Sequence, residues 1–371
     1  MTDMLKSYNP ADGQLIGQVP KTPLDTIPDI VEKSRKAQLT WASLPIDERI
    51  DYIERAAEKI SRRVSEIGNL LGREMGKSLR RAVGEVQGCL YSRQTAEMVR
   101  EGLKPQKITG PGIETVVEHI PLGVCAIISP WNYPVSMAHW MVIPALTAGN
   151  TVILKPSEET PLVAQAYVDA LNEALPKDVL QIVQGADEQG SALVNMPGIA
   201  FIGFTGSKET GKKIMAGASG TLKRLILELG GKDPLIVMRD ADINRAARFA
   251  VANSLENAGQ MCVSTERVFV DEQIADKFIQ RLADYIRNYK TGTFDDPEAF
   301  IGPIINTKQR QRIIEQIDDA LNKGAKIIYG GANHPENFIL PTILDGITDN
   351  MLIAQEETFG PVVCGWGDKE V

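Results

Sequence analysis

Cysteine and histidine are scarce in this sequence, and a surplus of basic residues is missing. Of its 371 residues four are cysteines (Cys89, Cys125, Cys262, Cys364), scattered with no Cys-x-x-Cys pair, and three are equally isolated histidines (His119, His139, His334). That spacing supports neither a zinc site nor a disulfide framework, so no metal is expected. A net charge of -8 leaves no basic face for nucleic acid or for an anionic membrane surface. No apolar run approaches the length of a membrane span. Met1 to Pro10, with Asp3, Lys6 and Asn9, lacks the apolar core of a secretory leader. Internal repeats and low-complexity linkers are absent too. These exclusions leave a cytoplasmic enzyme acting on a small molecule, in a compartment where thiols stay reduced and a lone cysteine can serve as a nucleophile.

With 43% hydrophobic and 24% charged residues, the chain can bury a sizeable core and divide into two or three globular units. From Thr26 to about Arg100 apolar residues recur at helix spacing (Ile46, Ile50, Ile53, Ala57, Ile60, Val64), which predicts two or three amphipathic helices. Residues 106–121 change character, with Pro111-Gly112 as a turn between two β-prone runs, a hairpin standing off the main body. Beyond it, strands and helices alternate: 123–129, a helix from about Pro134 to Ala148, 151–154, a helix from Pro161 to Leu175, 179–183, 198–204, a helix opening at Ser207, then 222–229. Such alternation predicts a parallel, doubly wound nucleotide-binding sheet. After Gly230-Gly231 a second α/β series begins at 234–238, so a boundary falls near 230.

Three short segments carry candidate chemistry. Gly259-Gln260-Met261-Cys262 sits between a helix and a strand, where a turn can hold a thiol among backbone amides; a buried structural cysteine is the competing reading there, and Cys125, inside an apolar strand, takes that reading outright. Glu228, before Gly230-Gly231-Lys232, ends an apolar strand. At the carboxyl end of a parallel sheet it would be partly desolvated and suited to general-base work, or else simply solvated. In Pro130-Trp131-Asn132-Tyr133-Pro134 the Asn132 amide could meet a developing oxyanion beside the Cys262 N–H, or cap the following helix. Cofactor elements follow in Lys155-Pro156-Ser157-Glu158, after the second strand, where ribose ligands belong, and in the strand end and helix start around Gly206, Ser207 and Gly211, which can receive a phosphate.

Taken together, PWNYP, KPSE, FTGS with Gly211, ELGGK, GQMC and EETFGP, in this order, resemble the aldehyde dehydrogenase superfamily from about Asn9 to Val363. The resemblance implies an α/β fold with a doubly wound NAD-binding domain (1–105 and 122–229), an oligomerisation hairpin (106–121) and an α/β catalytic domain (230–371). It implies Cys262 as nucleophile, Glu228 as general base and Asn132 as oxyanion donor. It gives Lys155 and Glu158 to the adenosine ribose, with Trp131, Gly206, Ser207 and Gly211 completing the cofactor set and Ser207 on the pyrophosphate, and Glu357 and Phe359 to the nicotinamide ribose. Glu158 would favour NAD over NADP. Tyr133, Met137 and Trp140 would wall the substrate tunnel for an apolar or aromatic aldehyde, with no basic residue at Trp140 to suit a carboxylate-bearing one. The implied reaction is oxidation of the aldehyde to a carboxylic acid through a thioester hydrolysed by water, not released to coenzyme A.

After EETFGPV the family continues with a segment that completes the catalytic domain and ends in an intersubunit strand, and this sequence is expected to lack it. Family members form homodimers or homotetramers, an assembly the shorter chain is not expected to keep. A competing expectation is therefore a catalytically impaired remnant that retains nucleotide binding or associates with a full-length homologue.

Overall fold

The computed structural model describes residues 3–332, 334 and 336–368. The first element goes beyond the sequence expectations: β1 (Met4–Tyr8) and β2 (Leu15–Pro20) form a hairpin. Its turn is built from local polar groups. The Asn9 side chain accepts the Ala11 N–H, Asp12 accepts that of Gln14, and Gly13 adopts φ +71°.

Two compact units follow from the packing. One takes in the chain up to Ser7, Ile16–Leu71 and Val83–Leu229; the other takes in Tyr8–Leu15, Gly72–Ala82 and the chain from Gly230 onward. The stretches 8–15 and 72–82 thus pack with the second unit, although they lie within 1–105.

The helical region resolves into α1 (Ile27–Ser43), α2 (Ile46–Arg62), α3 (Val64–Met75), α4 (Leu79–Gly88) and α5 (Ser92–Gly102), all in the first unit except the end of α3 and the start of α4. Of the predicted apolar series, Ile50, Ile53, Ala57 and Ile60 form the buried stripe of α2, while the half-buried Ile46 opens that helix and Val64 opens α3. Then β3 (Gln106–Gly110) and β4 (Ile113–Val117) pair antiparallel across Pro111-Gly112, with Gly112 at φ +75° and every residue of both strands exposed.

The sheet comes next: β5 (Val124–Ile128), α6 (Ser136–Thr147), β6 (Thr151–Lys155), α7 (Pro161–Asn172), β7 (Leu180–Ile182), α8 (Asp187–Asn195), β8 (Ile199–Gly206), α9 (Lys208–Ser219) and β9 (Arg224–Leu229). All pairings are parallel and the strand order is β7-β6-β5-β8-β9. The chain leaves β5 toward β6 on one side and returns to β8 on the other. The order therefore switches between β5 and β8, and the carboxyl ends of these two strands are where a doubly wound sheet binds its ligand. Val124, Ala126, Ile153, Ile202 and Phe204 pack against Ile27, Val31 and Leu193 to hold it.

The second unit continues with β10 (Asp233–Val237), α10 (Ile243–Leu255), β11 (Thr265–Asp271), α11 (Ala275–Ile286), β12 (Lys290–Thr291), β13 (Ala299–Ile301), α12 (Thr307–Asn322), β14 (Lys326–Tyr329), β15 (Thr342–Asp345), α13 (Leu352–Gln355) and β16 (Val362–Asp368). Its main sheet has the order β10-β11-β16-β15-β14, parallel except for β14 at the edge. Val251, Val268, Phe278, Ile317 and Val363 form its core.

Candidate active site

At the carboxyl edge of the first unit's sheet, the predicted residues follow strand ends or open helices. Beyond β5, Asn132 is buried, and Trp131, Tyr133 and Met137 are half-buried. Trp140, one turn along α6, is 68% exposed.

Asn132 is not the cap residue of α6, which starts at Ser136 with Val135 in that position. The cap comes from another helix: Oε1 of the buried Glu85, on α4, accepts the Val135 and Ser136 N–H groups at 3.0 and 3.1 Å. A carboxylate on these orphan donors also opposes the positive end of the helix dipole. The other end of α6 is held by the buried Arg49, whose Nε donates to the Thr147 carbonyl at 3.0 Å, and by Trp41, whose Nε1 donates to that of Leu146 at 2.9 Å. Sequence reasoning missed Glu85; the signal was a glutamate on the apolar side of an amphipathic helix, visible only as a polar residue in a buried stripe.

At the end of β6, Lys155 is 5% exposed and its ammonium lies 3.5 Å from the half-buried Glu158. Burial lowers the Lys155 pKa, and the Glu158 charge works against that. Beyond β8, Ser207 is the N-cap of the twelve-residue α9, its Oγ accepting the Thr210 N–H at 3.2 Å. The helix N-terminus therefore lies at the carboxyl end of β8. A Cβ on Gly211 would stand 2.8 Å from a Leu229 methyl, so that glycine serves helix–strand packing.

Glu228 departs from expectation. It is exposed, not partly desolvated, because β9 is the edge strand and its residues alternate between exposed and half-buried.

In the second unit, the chain leaves α10 through three successive left-handed residues, Asn257 (φ +52°), Ala258 (+57°) and Gly259 (+71°), and so reaches Cys262. Two non-glycine residues in that region store strain, which persists only where the surroundings impose it. Gln260 supplies the constraint. It is 1% exposed, its amide donates to the Asn257 and Pro303 carbonyls, and its Oε1 accepts the Ile305 N–H at 3.0 Å. Gly259 lies so close to the Gly360 carbonyl that no side chain fits.

Of the four cysteines, Cys262 alone reaches solvent. Burial pushes the Cys125 and Cys364 thiols up to about 12, and that of Cys89 higher still. The latter three are therefore held as unreactive thiols.

The double glycine after Glu228 also has a local reason. A Cβ on Gly230 would collide with the Glu357 carboxylate, and one on Gly231 would stand 3.4 Å from the Cys262 carbonyl. The group that approaches this backbone closely is thus part of the protein itself. The Gly231 N–H donates to Glu357 Oε1 at 3.3 Å. Burial first, and the Glu266 charge second, raise the Glu357 carboxyl to about 7. Phe359, two residues on, holds φ +53°.

These motifs belong to a known sequence family. The aldehyde dehydrogenase family model matches residues 1–365. The chain belongs to the aldehyde dehydrogenase family. It is 38% identical to a peroxisomal aminoaldehyde dehydrogenase 2 of Malus domestica, over 96% of this chain and 74% of that one, and 37% identical to a mitochondrial succinate-semialdehyde dehydrogenase of Arabidopsis thaliana, over 96% and 69%. Its structure is similar to that of an NADP-dependent glyceraldehyde-3-phosphate dehydrogenase from Bacillus halodurans C-125 complexed with NADP, with a TM-score of 0.95 and 35% identity over 99% of this chain and 78% of that one. The α/β fold with its two parallel sheets is thus the fold of aldehyde dehydrogenases. As a family member the chain is an oxidoreductase of the NAD(P)-linked class. No helix among its described residues is long and apolar enough to cross a membrane.

Proposed function

We propose that this aldehyde dehydrogenase oxidises an apolar or aromatic aldehyde to the carboxylic acid with NAD, through a thioester on Cys262. The observation that carries the reading is the contrast among the cysteines. Three are sealed in the cores, while Cys262 is half-exposed on a loop between the left-handed residues 257–259 and β11. In this reading the Cys262 thiolate adds to the aldehyde carbonyl, and the oxyanion accepts hydrogen bonds from the Asn132 side chain and the Cys262 N–H. When bound, the nicotinamide supplies the hydride acceptor. Glu228, with its exposed carboxylate, deprotonates the water that hydrolyses the thioester and releases the acid.

The ligand edge of the first sheet fits a dinucleotide. The N-terminus of α9 offers N–H groups and a favourable dipole to the pyrophosphate. Lys155 and Glu158 stand together at the end of β6 for the adenosine ribose, with Trp131 and Gly206 beside the two strand ends. The Glu158 carboxylate accepts from ribose hydroxyls and repels a 2′-phosphate, so NAD is the favoured cofactor, although the Bacillus halodurans structure holds NADP. Tyr133, Met137 and Trp140 offer apolar and aromatic surface, with no basic residue at the Trp140 position for a substrate carboxylate. All four cysteines are free, which suits a reducing compartment such as the cytoplasm.

A direct test is Cys262→Ser, in which NADH formation with a medium-chain or aromatic aldehyde should be lost while NAD affinity stays within about twofold, because the thiol lies on the acyl side. Glu228→Gln should give one burst of NADH and then stall. Retained turnover in the serine variant would remove Cys262 from the mechanism. NAD binding without any turnover in the unmodified chain would favour the impaired-remnant reading.

A further inference from the structure

The segment 357–359 runs between α13 and β16 without strand pairing, yet its backbone is tightly specified. Glu266, at the start of β11 and 4% exposed, accepts the Thr358 N–H on both carboxylate oxygens at 3.1 and 2.8 Å, and the Phe359 N–H at 2.9 Å. Lys232 Nζ donates to the same carboxylate at 2.6 Å and to Thr358 Oγ1 at 3.0 Å. From α12, the Gln309 amide donates to the Thr358 and Phe359 carbonyls at 3.1 and 3.2 Å.

A buried carboxylate destabilises a fold unless charge and hydrogen bonds compensate it. Here the compensation goes into shaping a turn. Two successive N–H groups aimed at one carboxylate, with their carbonyls turned to Gln309, account for the left-handed Phe359.

We propose that Glu266, held by Lys232, is a positioning residue for the cofactor: it fixes the turn that presents the Glu357 carboxylate and the Phe359 ring to the nicotinamide half of the dinucleotide. The inference rests on the proposed NAD-linked function and on the nicotinamide-ribose role that the family resemblance implies for Glu357 and Phe359. It adds a residue that no motif of the sequence singled out, and it makes the Glu266 charge part of the cofactor site. Glu357 faces that charge across the turn, with Lys232 and Arg312 as nearby cations, the Gly231 N–H on its Oε1, and Glu356 paired with Arg312 at 3.7 Å. The Glu266 carboxylate thereby helps to hold Glu357 in the range where it titrates near neutral pH.

The test compares two ligands on the full chain by calorimetry, with NAD probing the whole site and ADP only its adenosine half. Glu266→Gln should weaken NAD about tenfold, the order expected when a charged acceptor is lost, and leave ADP within about twofold. NAD affinity of the unmodified chain should fall as pH drops through about 7, where Glu357 takes up its proton. In Glu266→Gln that fall should move to lower pH, because the neighbouring negative charge is gone and Lys232 remains. Gln309→Ala, on the half-buried side of the same turn, should weaken NAD about threefold, with ADP again unaffected. It carries the test if circular dichroism shows that Glu266→Gln does not fold. Unchanged NAD affinity in folded variants, or equal losses for NAD and ADP, would overturn the positioning role alone. Absence of NAD binding in the unmodified chain would instead overturn the function on which it rests.

Discussion

The candidate residues of the two units are positioned by different physics. At the edge of the first unit, Asn132, Lys155, Glu158 and Ser207 follow strand ends or open helices, so backbone regularity sets where they stand. In the second unit, Cys262, Glu357 and Phe359 lie on irregular loops whose shape is imposed by side chains distant in sequence: Gln260 on 303 and 305, Glu266 on 358 and 359, Gln309 on 358 and 359. A site on regular elements tolerates local change because each ladder bond is one of many. A site on anchored loops depends on a few buried polar groups, and losing one strands several donors.

The sharpest way to break that comparison is one substitution made in each unit. Gly259→Ala places a methyl against the Gly360 backbone at φ +71°, where neither partner can yield. Left-handed strain and overpacking together should cost about 3 kcal/mol by urea unfolding. Gly211→Ala meets only the tip of the Leu229 side chain and gains helix propensity in α9, so it should change stability by less than about 1 kcal/mol. Comparable losses at both positions would show that the loops are no less forgiving than the sheet edge.

What was legible in the sequence follows the same divide. The parallel sheet of the first unit, the 106–121 hairpin and the helix at Ser207 were readable because period and turn chemistry are local. The β1–β2 hairpin escaped a reading tuned to long helices, although Asn9-Pro10 and Asp12-Gly13 marked its turn. Glu85, Gln260 and Glu266 were invisible for a different reason. Each is a polar residue whose role is set by a partner between 43 and 93 positions away. The expected desolvation of Glu228 failed because edge-strand exposure is a property of sheet order, which the local pattern does not report.

Glu85 offers an intermediate case, an anchored polar group inside the first unit. Glu85→Ala leaves the Val135 and Ser136 N–H groups without their carboxylate and should cost about 2 kcal/mol. Glu85→Gln, which keeps an acceptor but not the charge, should recover more than half of that. Unfolding curves of the two variants check this, and equal losses would mean that the charge on the α6 dipole, and not the hydrogen bonds, is what holds the helix start.

The smallest expected effect tests the cost of the anchored loop directly. In the folded chain Glu357 titrates near about 7, against an ordinary value of 4.5, so between those values the folded state holds a proton that the unfolded state has released. Stability contributed by the neutral carboxyl is therefore fully present below 4.5 and is lost as pH rises through about 7. Glu357→Gln keeps an acceptor for the Gly231 N–H and removes the charge that the site must bury. It should be nearly neutral in unfolding experiments at pH 5 and stabilising at pH 8, by less than about 1 kcal/mol once solvent screening of a partly open group is allowed for. If Glu357 has the nicotinamide-ribose role proposed for it, the same variant should bind NAD more weakly at pH 8, because the ribose loses its charged acceptor. A gain in stability coupled to a loss of affinity is the signature of a group held at a functional site against the preference of the fold. If Glu357→Gln were equally stabilising at both pH values, the carboxylate would be ionised throughout and the loop would carry no such cost.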